Sequence, residues 1–278
     1  MSAISKITKL VQAISAVIRR PYLLNHVLQS DDYWQNQLQK DFPQYKNGLS
    51  QIPLDALLTE SGSKLQPIAF LGGGSLVTDL ALLKSLASRI PHCKYFEIGT
   101  WRGESVINVA AESAKCVTLN LSASDMENRG WPSEYAGQHA FFSKNSKRIE
   151  HVFGDSKTFD FNRLNETFDL VFIDGDHSHD YVINDTQKIV QHAIHAQSIV
   201  VWHDYAHSPE QFRPEVLHGI LSSLNISHHS RLFHVSNTLC AVWLPEIHPW
   251  MDLEINQASS KLQEPKIQWN VELNRITH

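Results

Sequence analysis

From residue 94 onward the chain alternates between short runs that are apolar on both faces and longer stretches with helical periodicity. Lys94 to Gly99, Val117 to Leu121, His151 to Gly154, Leu170 to Ile173 and Ile199 to Trp202 read as strands. Glu104 to Ala114, Tyr181 to Ile194 and Glu215 to Leu224 read as helices. Strands buried on both faces and separated by helices predict an α/β chain with a mostly parallel sheet covered on each side, a Rossmann-like three-layer sandwich. Leu232 to Val235 and Leu239 to Leu244 flank Ser236-Asn237-Thr238 and predict a hairpin, so the expected sheet has seven strands and ends in an antiparallel pair.

The flanks read differently. Ile4, Ile7, Leu10, Val11, Ile14, Val17 and Ile18 recur at helical spacing, with Lys6, Lys9 and Arg19-Arg20 among or behind them. This run has neither the unbroken apolar centre and cleavage site of a signal peptide nor the roughly 20 apolar residues of a membrane span. The expectation is a helix docked on its own domain or on the mate in a homodimer, with peripheral membrane attachment by residues 1–20 as the alternative. Tyr22 to Gln66 is polar and broken by Pro43 and Pro53, which predicts short helices and loops. Gly72-Gly73-Gly74-Ser75 leads into a helical run from Leu76 to Leu86; without the lysine of a phosphate-binding loop it reads as a hinge or helix-entry turn. Met251, Leu253 and Ile255, then Ile267, Trp269, Val271 and Leu273, alternate at period two and predict a second hairpin. The expected organisation is a helical extension over 1–66, the α/β domain over 67–245 and a β extension over 246–278.

Composition narrows the functional classes. A hydrophobic share of 42% and a charged share of 19% are those of a globular protein. The net charge of -5 gives no overall attraction for a phosphate backbone, so the expected partner is a small molecule rather than nucleic acid. Cys93, Cys116 and Cys240 lack metal-type spacing, and their odd number prevents complete pairing, which suits a reducing cytoplasm.

Two constellations carry candidate chemistry. The first is Tyr95-Phe96-Glu97-Ile98-Gly99-Thr100-Trp101-Arg102-Gly103 ahead of a helix. Gly99 permits a tight turn at the strand end, Gly103 lets a helix start beside a ligand, and Glu97 offers a carboxylate to a cationic group. Trp101 stands where the dinucleotide fingerprint requires glycine, which argues against a pyrophosphate there. Gly154-Asp155-Ser156 follows the third strand and could set a carboxylate against an adenine amino group. The second constellation is Asp174, Asp176, His177, His203 and Asp204, all at carboxyl ends of the fourth and fifth strands, the edge where open parallel sheets bind ligands. Trp131, Tyr135, Phe141 and Phe142, between the second and third strands, are candidates for a substrate lid or for core packing.

The stretch from Tyr95 to Tyr205 resembles the class I S-adenosylmethionine-dependent methyltransferases. Its FIDGDHSHDYVINDT and WHDY segments resemble the methyltransferase-24 group and, more distantly, macrocin-type sugar O-methyltransferases. The resemblance implies S-adenosylmethionine as cofactor, with Glu97, Gly99, Thr100 and Gly103 at its methionine end, Asp155 and Ser156 at adenine, and Asp174 as both a cofactor-contacting and a catalytic residue. The acidic residue that usually ends the second strand and holds the ribose is replaced by Asn120, which can bond ribose only without charge assistance. By the same resemblance, Asp174 and His203-Asp204 occupy the places of a divalent-ion site that would activate an acceptor hydroxyl. Magnesium prefers oxygen donors, whereas manganese, iron and zinc accept imidazole. The competing reading makes His177 or His203 a general base. The acceptor implied is a hydroxyl on a sugar or secondary metabolite. Two rivals remain open: a metal-dependent hydrolase using the same acidic and histidine cluster, and a cofactor-binding protein without catalysis, suggested by Asn120.

Overall fold

The structure, a computed structural model, describes residues 3–19, 30–69, 72, 74–245 and 255–257. It divides into two compact units, 1–46 and 47–278. The first contains α1 (Ala3–Arg19) and α2 (Asp31–Asp41); Trp34 and Leu38 are buried side chains of α2, and Gln35 Nε2 donates to the Lys46 carbonyl at 2.7 Å.

The second unit runs β1 (Gln51–Ile52), α3 (Leu54–Leu57), α4 (Val77–Ser88), β2 (Lys94–Ile98), α5 (Glu104–Ala110), β3 (Lys115–Asn120), α6 (Ala123–Asn128), α7 (Ser133–Ala136) and β4 (Ile149–Phe153). It continues with β5 (Phe168–Ile173), α8 (His179–His192), β6 (Ile194–Trp202), β7 (Ala206–Ser208), β8 (Gln211–Phe212), α9 (Pro214–Ser223), β9 (Leu232–Val235) and β10 (Ala241–Trp243). β2, β3, β5 and β6, largely apolar on both faces, pair in parallel as the sequence pattern requires.

The main sheet has eight strands in the order β1-β9-β10-β6-β5-β2-β3-β4, one more than the seven expected. The additional strand is Gln51-Ile52, which pairs parallel to His234-Val235 at the edge. Two residues are too short to give a period, but both are buried and Ile52 joins the core. Residues 47–66, read above with the helical extension, therefore fold with the sheet. β10 is antiparallel to both β6 and β9, as the hairpin pattern predicts. The expected C-terminal hairpin lies outside the described residues, except that Asn256 bridges Gln51 in antiparallel fashion.

Strand alternation separates the two faces. Tyr95, Leu170, Phe172, Ile199 and Val201 pack with Leu82, Leu83 and Leu86 of α4 and Val106 and Val109 of α5. On the opposite face Phe96 stacks on Phe168 at a centroid distance of 5.1 Å, and Trp202 Nε1 donates to Thr186 Oγ1 of α8 at 2.9 Å. Burying side chains of this size stabilises by about 1.5–3 kcal/mol each, and because both faces contribute, β2, β5 and β6 are held at the centre of the sheet. The chain leaves β2 for β3 and β4 on one side and returns to β5 on the other. The strand order thus switches between β2 and β5, where a crevice opens at the carboxyl edge.

Candidate active site

Gly99 ends β2 with φ +90°, and a Cβ there would lie far inside van der Waals contact with the backbone of Asp174 at the end of β5. Glycine at this position lets the two central strand tips converge. Gly103, at φ +80°, precedes α5, and a Cβ there would collide with the buried Ser143 side chain. Between them Trp101 takes φ +42°, a conformation costing a non-glycine residue about 1–2 kcal/mol. Its ring packs against Tyr135 at 3.6 Å between centroids, and Tyr135 against Trp131 at 5.1 Å.

These turns border a cavity of about 220 Å³. Of the sequence-predicted cofactor residues, Gly99, Asn120, Asp155, Ser156 and Asp174 line it. Glu97, Thr100 and Gly103 do not, because alternation along β2 turns Glu97 to the α5 face. There Glu97 is wholly buried, and its Oε2 accepts from Tyr95 Oη at 2.7 Å and Ser105 Oγ at 2.6 Å. Burial pushes the Glu97 carboxyl up to about 8 against the opposing pull of Ser105 and Tyr95. Its Oε1 has no hydrogen-bond partner, an orphaned buried acceptor just behind the Gly99 bend. The cavity, walled by the Gly99 bend and by Asn120, Asp155 and Asp174, fits a polar ligand that lies over the bend; Glu97, on the other face of β2, does not line it.

Asn120 is engaged on both ends: Oδ1 accepts from the Thr100 amide at 3.2 Å, and Nδ2 lies 3.0 Å from His139 Nδ1. His139 also lines the cavity, and burial, then the neighbouring His151, pushes its imidazole down to about 4, so it is neutral near pH 7. Asp155 is held by Arg129 Nη2 at 2.7 Å and by the Lys157 amide at 2.9 Å. Its carboxyl lies below the ordinary range: burial works the other way, but Arg129 outweighs it. Ser156 bonds Asp185, whose carboxyl burial pushes up to about 6.

The second constellation splits into two histidines with different surroundings. His203 is 6% exposed and sits between carboxylates, with Nε2 at 3.1 Å from Asp79 Oδ2 and Nδ1 at 2.8 Å from Asp174 Oδ1. Burial would lower its pKa, but Asp174, Asp204 and Asp79 outweigh this and hold it well above the usual imidazole range. A carboxylate oxygen near each nitrogen favours the protonated ring, the form that has no lone pair to offer. His177 is more open, and its Nε2 lies 2.6 Å from Asp204 Oδ2. Asp204 adopts φ +51°. Burial would raise its carboxyl, but His177 and His203 hold it well below the carboxylate range. Ligand atoms of Asp174, His177 and Asp204 all lie within 4.8 Å of one another. The structure therefore brings His177, rather than the expected His203, into the one cluster among the described residues that could hold a metal.

Asp79 was not legible as a site residue: it lies in α4, far from Asp174 in the chain, within a run that reads as a plain apolar helix. Its Oδ2 accepts from the Leu76 amide at 2.7 Å, a pattern Leu76-x-x-Asp79 could suggest, and its Oδ1 from the Leu239 amide at 2.8 Å. Arg129, His139 and Tyr181 are also cavity residues that sequence reasoning passed over. Of the aromatic residues considered for a substrate lid, Trp131 and Tyr135 border the cavity, whereas Phe141 is exposed and stacks edge-on against Phe142.

A search of curated proteins finds no significant match to the chain. Solved structures similar to it include the S-adenosylhomocysteine-bound methyltransferase PaMTH1 of Podospora anserina, at 15% identity over 78% of this chain and 88% of that one, with a TM-score of 0.43. An O-methyltransferase of Bacillus cereus in complex with S-adenosylhomocysteine is 15% identical over 77% of this chain and 99% of that one, with a TM-score of 0.42. TomG, an O-methyltransferase of Streptomyces achromogenes in complex with S-adenosylmethionine, is 16% identical over 62% and 82%, with a TM-score of 0.40. Residues 96–205, which run from within β2 to just past the tip of β6, match the methyltransferase-24 family model, described as a methyltransferase domain.

Proposed function

We propose that this chain methylates a hydroxyl oxygen of a small-molecule acceptor, a sugar or secondary metabolite, with His177 as the base that receives the hydroxyl proton. The observation that carries the reading is the 2.6 Å pair between His177 Nε2 and Asp204, whose ligand atoms lie within 4.8 Å of that of Asp174, a residue that lines the cavity. When bound, S-adenosylmethionine supplies a methyl group already activated by the sulfonium, so the protein's work is positioning and proton removal. Asp204 holds the Nε2–H tautomer and stabilises the imidazolium formed once Nδ1 takes the proton. Asp174 joins the cavity to this pair, and His203 fixes its carboxylate from behind.

A second reading has its own observation, the convergence of ligand atoms from Asp174, His177 and Asp204. Two carboxylates and an imidazole fit manganese, iron or zinc better than magnesium, and such an ion would lower the pKa of an acceptor hydroxyl. Turnover by the purified protein on a panel of hydroxylated acceptors separates the two. Activity that survives chelation and falls roughly 10²-fold or more in His177→Ala supports the base; activity lost on chelation and restored by manganese supports the ion. Failure to bind S-adenosylmethionine in calorimetry would remove both.

A further inference from the structure

We propose that α1 is a membrane-surface anchor, which lays its apolar stripe into the interface of an anionic lipid bilayer. Ile7, Leu10, Val11, Ile14 and Ile18 fall at spacings of three and four residues and so share one face of the helix. All five are exposed, by 52–74%. Single exposed apolar residues are ordinary, but five in one continuous stripe along a helix of about 26 Å form a face that water does not favour.

Charge selects the occupant. The first thirty residues contain Lys6, Lys9, Arg19 and Arg20 and no Asp or Glu, whereas the whole chain carries -5. Positive charge is thus concentrated in the segment that carries the apolar stripe, against the sign of the rest of the chain. A second copy of the helix would bring two such basic segments together, and like charges oppose that pairing. An anionic headgroup layer instead takes the basic side chains while the acyl boundary takes the isoleucines, leucine and valine. No described helix is long and apolar enough to cross a membrane, which leaves the surface orientation. A helix held there would present the methyltransferase domain to acceptors dissolved in, or displayed by, the same bilayer.

The test is co-sedimentation of the full chain with vesicles of phosphatidylcholine alone and of phosphatidylcholine mixed with phosphatidylglycerol. Binding to the anionic vesicles at least about tenfold above the neutral ones, weakened by salt, is the expected result. Leu10→Glu with Ile14→Glu should abolish binding, and Lys6→Gln with Lys9→Gln should reduce it, while the thermal transition of the methyltransferase domain stays unchanged in both. Equal recovery with neutral and anionic vesicles, no recovery with either, or a dimer in sedimentation velocity that Leu10→Glu with Ile14→Glu dissociates would each overturn the proposal.

Discussion

Asp79 and His203, 124 residues apart in the chain, meet at 3.1 Å in the interior, and the imidazole of His203 links α4 to the tip of β5. Three carboxylates, those of Asp79, Asp174 and Asp204, share this one buried cation. Removing it in His203→Ala takes the counter-charge from Asp79 and Asp174, while Asp204 keeps His177, a loss expected at about 3–5 kcal/mol. Because the folded state raises the His203 pKa, its contribution is complete below the unfolded value near 6.5 and fades as pH rises through the folded one. Urea midpoints of wild type and His203→Ala should therefore converge from pH 6 into the alkaline range. A gap that stays constant with pH would show that His203 is neutral when folded.

This relationship marks the boundary of what a sequence discloses. The central strands were legible because Phe168 to Ile173 and Ile199 to Trp202 are apolar on both faces, and the glycine bend because few residues accept the backbone at Gly99. Both are local properties. The edge strand Gln51-Ile52 has no such signature, since its burial comes from β9, which lies near the other end of the domain in sequence. The different surroundings of His177 and His203 were equally hidden: both sit past strand ends in acidic surroundings, and only the approach of Asp79 from α4 encloses one and leaves the other more open.

Glu97 gives a second test of burial. Its folded pKa of about 8 lies above the ordinary carboxyl value, so the stability it supports is complete near pH 4.5 and lost as pH rises through 8. A glutamine in its place would reproduce the neutral carboxylic acid without that loss. Glu97→Gln should accordingly gain on the wild type by on the order of a few kcal/mol between pH 5 and pH 9, read from urea midpoints. Parallel pH profiles would mean that Glu97 is ionised throughout.

Gly103 separates steric from conformational cost. An alanine there would meet the Ser143 side chain and also occupy a left-handed conformation, so Gly103→Ala should destabilise by roughly 2–4 kcal/mol. Adding Ser143→Gly clears the collision but not the positive φ. The double variant should recover part of the loss and remain about 1 kcal/mol below Ser143→Gly alone in thermal unfolding. No recovery at all would place the cost of the added methyl elsewhere than at Ser143.

Asn120 stands where the family pattern has an acid, and the consequence falls on His139. The Asn120 Nδ2 group can only donate, so His139 Nδ1 accepts and the ring proton sits on Nε2. An aspartate at this position would oppose that lone pair with a second acceptor, and the conflict is relieved when the imidazole takes up a proton at Nδ1. Asn120→Asp should therefore raise the His139 pKa from about 4 by roughly two units or more, followed by the ring-proton shifts in an NMR titration. The cavity wall would then carry an ion pair in place of a neutral hydrogen bond, and affinity for S-adenosylmethionine should become pH-dependent near that new value. A His139 titration left near pH 4 would mean that burial alone, and not the amide of Asn120, keeps the ring uncharged.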